Sequence, residues 1–179
     1  KLIGYPQFYP EWLRIIKEYC KEYLRKEKYV LILSRHVHPF YMDEEKYVYL
    51  LKTTCQVIRK CLGDILIVVK PHPRENVDSI KGIFHEIGLD HYEFSNENPA
   101  VLAMGTMLSI SYFGSSVLSA LAMQVPAIEY FIEPARFREA ETKGSSYRNL
   151  GIDSVETPQG LEEFINRVIG GTYKKPKIV

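Results

Sequence analysis

Three segments of this sequence combine residues able to grip an anion. The first reads Lys70-Pro71-His72-Pro73-Arg74-Glu75. Prolines on both sides of His72 restrict its backbone and bias the residues before them toward extended conformations. An imidazole held this rigidly can donate a hydrogen bond to a phosphate oxygen. Lys70 and Arg74 add positive charge, and Arg can contact a phosphate through two parallel N–H groups. The same residues also fit a plain turn in which His72 caps a backbone group. The second segment, Tyr112-Phe113-Gly114-Ser115-Ser116, sets a glycine able to adopt a tight turn or a positive φ ahead of two serines. If a helix begins there, its free amides, its dipole and the hydroxyls of Ser115 and Ser116 favour an anion. Ordinary serine N-capping accounts for the same pattern. The third, Ser34-Arg35-His36-Val37-His38-Pro39, puts His36 and His38 on one side of an extended stretch. No cysteine or carboxylate stands at a spacing that completes a zinc site, so no metal is expected. Contact of Arg35 or His36 with a phosphate or a transferred sugar fits better, the alternative being solvated loop histidines.

Two carboxylates extend the set. Glu129 follows Pro126-Ala127-Ile128 and Glu133 lies near the end of the same run. A carboxylate at the end of a parallel strand can accept two ribose hydroxyls. It can equally be an exposed carboxylate beside a basic neighbour such as Arg136. Other chemistries lack their residues: there is no Gly-x-Gly-x-x-Gly, no phosphate-binding Gly/Lys/Ser loop and no complete Gly-x-Ser-x-Gly elbow.

The elements that would position these loops follow from apolar periodicity. Continuous apolar, β-favouring runs at 29–33 and 65–69 predict strands covered on both faces, and further strands are expected at 107–112 and 127–131, with a short one at 92–94. Helical stripes lie between them. They comprise Trp12, Ile15, Ile16, Tyr19 and Tyr23; then Val48, Leu51, Cys55, Ile58 and Leu62, closed by Gly63; then Ile80, Ile83, Phe84 and Ile87, closed by Gly88. Short helices are expected at 99–104 and 116–123, and a last one carries Leu161, Phe164, Ile165 and Val168. Strands alternating with helices predict a Rossmann-like, doubly wound parallel α/β sheet with helices on both faces. Its ligands belong at the carboxyl ends of the strands, where all three segments fall. Residues 1–9 read as a linker, 10–170 as the nucleotide-binding domain and 171–179 as an irregular tail; the stretch 133–148 is polar, part helix and part loop.

The 179 residues suit one domain, and 46% hydrophobic with 25% charged residues is ordinary for a packed one. A net charge of +1 with interleaved signs presents no broad basic face, so nucleic acid is not an expected partner. No apolar run is long enough to span a bilayer and no secretory leader is visible. Cys20, Cys55 and Cys61 read as buried thiols of a reducing, cytoplasmic compartment. The absence of an initial Met suggests an excised fragment.

Taken together, Lys70-Pro71-His72-Pro73 and Gly114-Ser115-Ser116-Val117-Leu118, followed by Ala120, Leu121 and Val125-Pro126-Ala127-Ile128, resemble the C-terminal domains of bacterial surface-polysaccharide glycosyltransferases of the GT-B type. These include sialyl- and polysialyltransferases, capsule Kdo transferases and CDP-glycerol glycerophosphotransferases. The opening Ile3-Gly4-Tyr5-Pro6 resembles the linker between their two domains, and the likeness spans residues 1–170. It implies that His72-Pro73 and Ser115-Ser116 bind the phosphates of a CMP- or CDP-linked sugar or polyol, without a metal or other cofactor, and that His72 is the catalytic candidate. It also implies an N-terminal domain, not included here, that binds the acceptor and supplies a catalytic carboxylate. Without it the fragment is expected to be inactive. Relatives working at the inner membrane face make peripheral association of the parent an expectation. UDP-N-acetylglucosamine 2-epimerase-like enzymes share the architecture but have a Ser-Gly-Gly turn where this chain has Gly-Ser-Ser. A non-catalytic nucleotide-binding or scaffold module is the remaining alternative.

Overall fold

A computed structural model describes residues 8–133 and 147–175. The elements run α1 (Pro10–Tyr19), β1 (Tyr29–Leu33), α2 (Glu44–Leu62), β2 (Leu66–Lys70), α3 (Val77–Glu86), β3 (Tyr92–Phe94), α4 (Pro99–Gly105), β4 (Thr106–Ser111), α5 (Val117–Ala122), β5 (Ala127–Tyr130), β6 (Asp153–Val155) and α6 (Pro158–Ile169). The strands form one six-stranded sheet in the order β3-β2-β1-β4-β5-β6, and every pairing is parallel. The chain is therefore the doubly wound α/β sheet expected. Its strand order reverses between β1 and β4, so that the loops leaving these two strands diverge around a crevice.

Side-chain alternation assigns the two faces. Val30 and Ile32 of β1, Ile67 and Val69 of β2, and Leu108 and Ile110 of β4 pack with Leu51, Ile58, Phe84, Phe164 and Ile165 beneath α2, α3 and α6. Tyr29, Leu31 and Leu33 face the other way with Leu66, Val68 and Leu102. Beside them Ala100, Val117, Leu118, Leu121 and Ala127 form a cluster under α4 and α5. All five residues of β1 are buried, which is why its sequence is continuously apolar rather than alternating.

Local signals set the helix ends. The side chains of Asp43, Asn76, Asn98 and Thr157 each accept a backbone N–H in the first turn of α2, α3, α4 and α6. Gly63 ends α2 at φ +68°. Gly88, at φ +61°, closes α3.

Two points differ from expectation. The stripe of α1 does not face the core: Ile16 is buried, whereas Trp12 is 40% exposed, Ile15 41% and Tyr19 72%. Tyr23 lies beyond α1 in a separate 3-10 turn, Lys21–Tyr23. Periodicity identified the helix but not which side of it packs inward, where Ile16 joins the cluster under α4 and α5. β6 was not foreseen; Asp153-Ser154-Val155 has no apolar alternation because it is a short edge strand paired only to β5. Residues 171–175 have no regular structure, and Tyr173 donates its amide to the Arg167 carbonyl and packs against Phe164 at 5.4 Å between ring centroids. Residues 1–7, including the linker motif, most of the polar stretch, and 176–179 lie outside the described residues.

Candidate functional site

The loop after β2 is closed by its own hydrogen bonds. The Glu75 amide donates to the His72 carbonyl at 2.9 Å, and the Arg74 amide donates to His72 Nδ1 at 3.2 Å. Nδ1 must then present a lone pair, so the proton of the neutral ring sits on Nε2. The His72 amide donates to the Glu75 carboxylate. The other oxygen of that carboxylate accepts from Ser34 Oγ and from the Tyr47 hydroxyl, both at 2.6 Å. Glu75 thus ties the β2 loop to the end of β1 and to α2. Burial, then the adjacent Glu75 charge, push the Tyr47 phenol well above its usual range, leaving it a proton donor at any physiological pH.

The loop after β1 reaches both ways. Arg35 Nη1 donates to the Phe113 carbonyl in the loop after β4. Its guanidinium lies 4.3 Å from the Tyr41 ring centroid and 5.3 Å from that of Phe113. Arg35 Nε is buried without an acceptor in this arrangement. The His36 ring lies 4.3 Å from the His72 ring, tilted by 34°, so imidazoles from two loops meet at the crevice. Desolvation, and then electrostatic interaction with His72, Arg74 and Arg35, hold His36 below the usual histidine range. His38 is turned into its own loop, where Nδ1 accepts from the Phe40 amide at 3.2 Å and the ring stacks on Tyr41 at 4.2 Å.

The loop after β4 departs from expectation in two respects. The positive φ belongs to Phe113, at +57°, and not to Gly114. A left-handed conformation at a bulky residue costs about 1–2 kcal/mol, and the Arg35 bond to its carbonyl holds it there. The helix is also shorter than the expected 116–123. α5 has six residues and its N-cap, Ser116, makes no side-chain cap bond. A dipole of that length adds little; what the turn offers is the amides of Gly114, Ser115 and Ser116, which donate to no group among the described residues, and two serine hydroxyls.

The remaining site residues lie apart. Lys70 Nζ donates to the Asn96 carbonyl at 3.3 Å, turned toward the β3 side and away from the β1/β4 crevice. Burial lowers its pKa. Glu129 is 1% and Glu133 7% exposed, so neither carboxylate faces open solvent. Arg136 lies outside the described residues. Pro73 and Arg74 are exposed, and a cavity of about 240 Å³ opens between α2 and α3 beside Arg74 and His36. That is somewhat below the roughly 300–1,000 Å³ usual for small-molecule sites. Among the described residues no group of three or more His, Cys, Asp or Glu is placed to hold a metal ion. No helix among them is long and apolar enough to cross a membrane.

No family model and no curated protein matches this sequence. Solved structures do. UDP-GlcNAc 2-epimerase from Methanocaldococcus jannaschii, in complex with UDP-GlcNAc and UDP, superposes with a TM-score of 0.58 at 15% identity, over 91% of this chain and 44% of its own. A second structure of that enzyme gives 0.55 at 14% identity, over 93% and 46%. The wall teichoic acid polymerase TagF gives 0.49 at 16% identity, over 92% of this chain and 43% of its own, too low a score to bear on assignment. The likeness establishes the fold, a GT-B-type Rossmann-like domain, and the chain spans less than half the length of the epimerase.

Sequence reasoning overlooked Glu75, Tyr47 and the bond from Arg35 to the β4 loop. Glu75 stood in the quoted motif, three residues after His72, a spacing at which a carboxylate can close a turn.

Proposed function

We propose that this domain is the donor-nucleotide half of a glycosyltransferase, or of a glycerophosphate-transferring relative, taking a sugar or polyol from a CMP- or CDP-linked donor. The observation that carries this is the convergence at the strand-order switch of groups suited to an anion. They are the Nε2–H of His72, the His36 ring beside it, Arg35, Arg74, and the amides of Gly114, Ser115 and Ser116, which donate to no group among the described residues. The nearby carboxylate of Glu75 is already satisfied by three donors. In this reading, charge developing on the departing nucleotide phosphate meets donors fixed before the ligand arrives, an electrostatic stabilisation rather than covalent catalysis. With Nδ1 accepting from the Arg74 amide, His72 offers Nε2–H as its hydrogen-bond donor. The acceptor and the catalytic carboxylate would come from a partner domain, and the parent would work at the inner face of the membrane. Glu129 and Glu133 would reach a ribose only if the loops over them part.

The fold likeness to UDP-GlcNAc 2-epimerase supports a second reading, an epimerase-type domain for a UDP-sugar. Calorimetric titration with CMP, CDP, UDP and ADP separates them. The proposal expects the cytidine nucleotides to bind tightest, a uridine preference favours the epimerase reading, and no binding to wild type at millimolar nucleotide contradicts both.

A further inference from the structure

Glu75 ties the His72 loop to the end of β1 and to α2. Its two oxygens accept from Ser34 Oγ and Tyr47 Oη at 2.6 Å each and from the His72 amide. A half-buried carboxylate needs such compensation, and its charge would repel a phosphate. Ser34 continues directly from β1, where its amide donates to the Lys70 carbonyl at 3.0 Å, and Tyr47 is buried in α2, packed edge-on to the Tyr112 ring at 6.5 Å between centroids. Two anchors on rigid elements therefore fix one end of the carboxylate, and the other end fixes the His72 backbone.

We infer that Glu75 is the positioning residue of the His72 loop: anchored by Ser34 and Tyr47, it sets the turn in which the Arg74 amide engages Nδ1 and leaves Nε2–H as the only donor His72 presents to the crevice. This rests on the anion-site reading for its consequence, but the positioning itself is a property of the ligand-free protein. Removing the carboxylate frees the loop, lets the ring sample both tautomers, and leaves the Ser34 and Tyr47 hydroxyls to find water. Glutamine can substitute: its oxygen keeps the His72 amide while its NH2 group donates to the two hydroxyl oxygens.

The test is long-range 15N–1H correlation of the His72 ring at pH 7.5 in wild type, Glu75→Ala, Glu75→Gln and Tyr47→Phe, followed by titration with CDP, UDP and inorganic pyrophosphate. We expect a pure Nε2–H pattern in wild type and E75Q, a tautomer mixture in E75A, and a partial one in Y47F. Affinity for whichever anion binds wild type should fall about tenfold in E75A, as for loss of a charge-assisted hydrogen bond, and recover in E75Q. If E75A does not fold, Y47F and Ser34→Ala, which each remove one anchor, carry the test. An unchanged Nε2–H pattern in every folded variant of Glu75 and its anchors overturns the inference. A mixed tautomer in E75A with no anion bound even by wild type upholds the positioning role and refutes the nucleotide reading instead.

Discussion

Replacing Arg35 by Met separates a residue that holds the fold from one that holds the site. The lost bond to the Phe113 carbonyl is charge-assisted, worth about 1.5–3 kcal/mol, and the two ring contacts add about 0.5–2 kcal/mol. Against this, the buried Arg35 Nε has no acceptor, a penalty of about 1–3 kcal/mol that disappears with the side chain. Phe113, no longer held at φ +57°, can relax and recover about 1–2 kcal/mol. The opposing terms nearly cancel, so the melting temperature of the ligand-free variant should move by only a few degrees. Its response to ligand should not be preserved. For wild type at a hundred times Kd, nucleotide stabilises by about 2.7 kcal/mol. At about 2–4 °C per kcal/mol for a chain of this size, that raises the melting temperature by about 5–10 °C. If Arg35 Nε and the β4 loop it positions are worth tenfold in affinity, the same concentration stabilises R35M by about 1.4 kcal/mol and the shift falls to about 3–6 °C. Differential scanning fluorimetry with and without nucleotide reads both. An apo melting temperature lower by more than about 15 °C with an intact ligand shift would refute the reasoning and make Arg35 a structural clamp.

Other outcomes follow from the same geometry. A Cβ added at Gly114 would meet Ser111 Oγ and Ser116 Oγ at 3.5 Å, ordinary contact, so Gly114→Ala should unfold in urea within about 1 kcal/mol of wild type. Gly63→Ala, at φ +68°, should lose about 1–2 kcal/mol in the same assay. The His36 pKa is depressed below 6.5, so the unfolded chain takes up this proton first as the pH falls. Stability should therefore decline as pH drops below about 6.5, and His36→Gln should make that decline shallower in urea titrations from pH 7.5 to 5. Burial pushes the Cys55 thiol up to about 12, and its side chain is fully buried, so in thiol labelling Cys55 should be the slowest of the three cysteines and react only on unfolding.

The sequence made the scaffold legible wherever a local rule coincided with the tertiary outcome. β1 falls at the expected residues because a strand buried on both faces shows as an unbroken apolar run, and Gly63 and Gly88 mark helix ends because both must adopt positive φ. The three loops were located because a parallel sheet sends its binding segments to one edge. What stayed hidden depends on contacts between loops. Nothing local sets Phe113 rather than Gly114 at positive φ; Arg35, seventy-eight residues away, does. Lys70 adjoins the motif in sequence yet bonds to Asn96, because the last residue of a strand can lean toward either neighbour. Glu75 was visible as a residue, but its role depends on Ser34 and Tyr47, which only the packing of β1 and α2 brings to it.

The central claim is that three loops form one preset anion site, and amide-resolved NMR tests it most directly. CDP would be titrated into 15N-labelled wild type and His72→Ala. The account predicts saturating shifts at Arg35 and His36, at His72 and Arg74, and at Gly114, Ser115 and Ser116, with one common Kd that weakens at least tenfold in the variant. Shifts confined to a single loop, or unchanged by removing the imidazole, would contradict it.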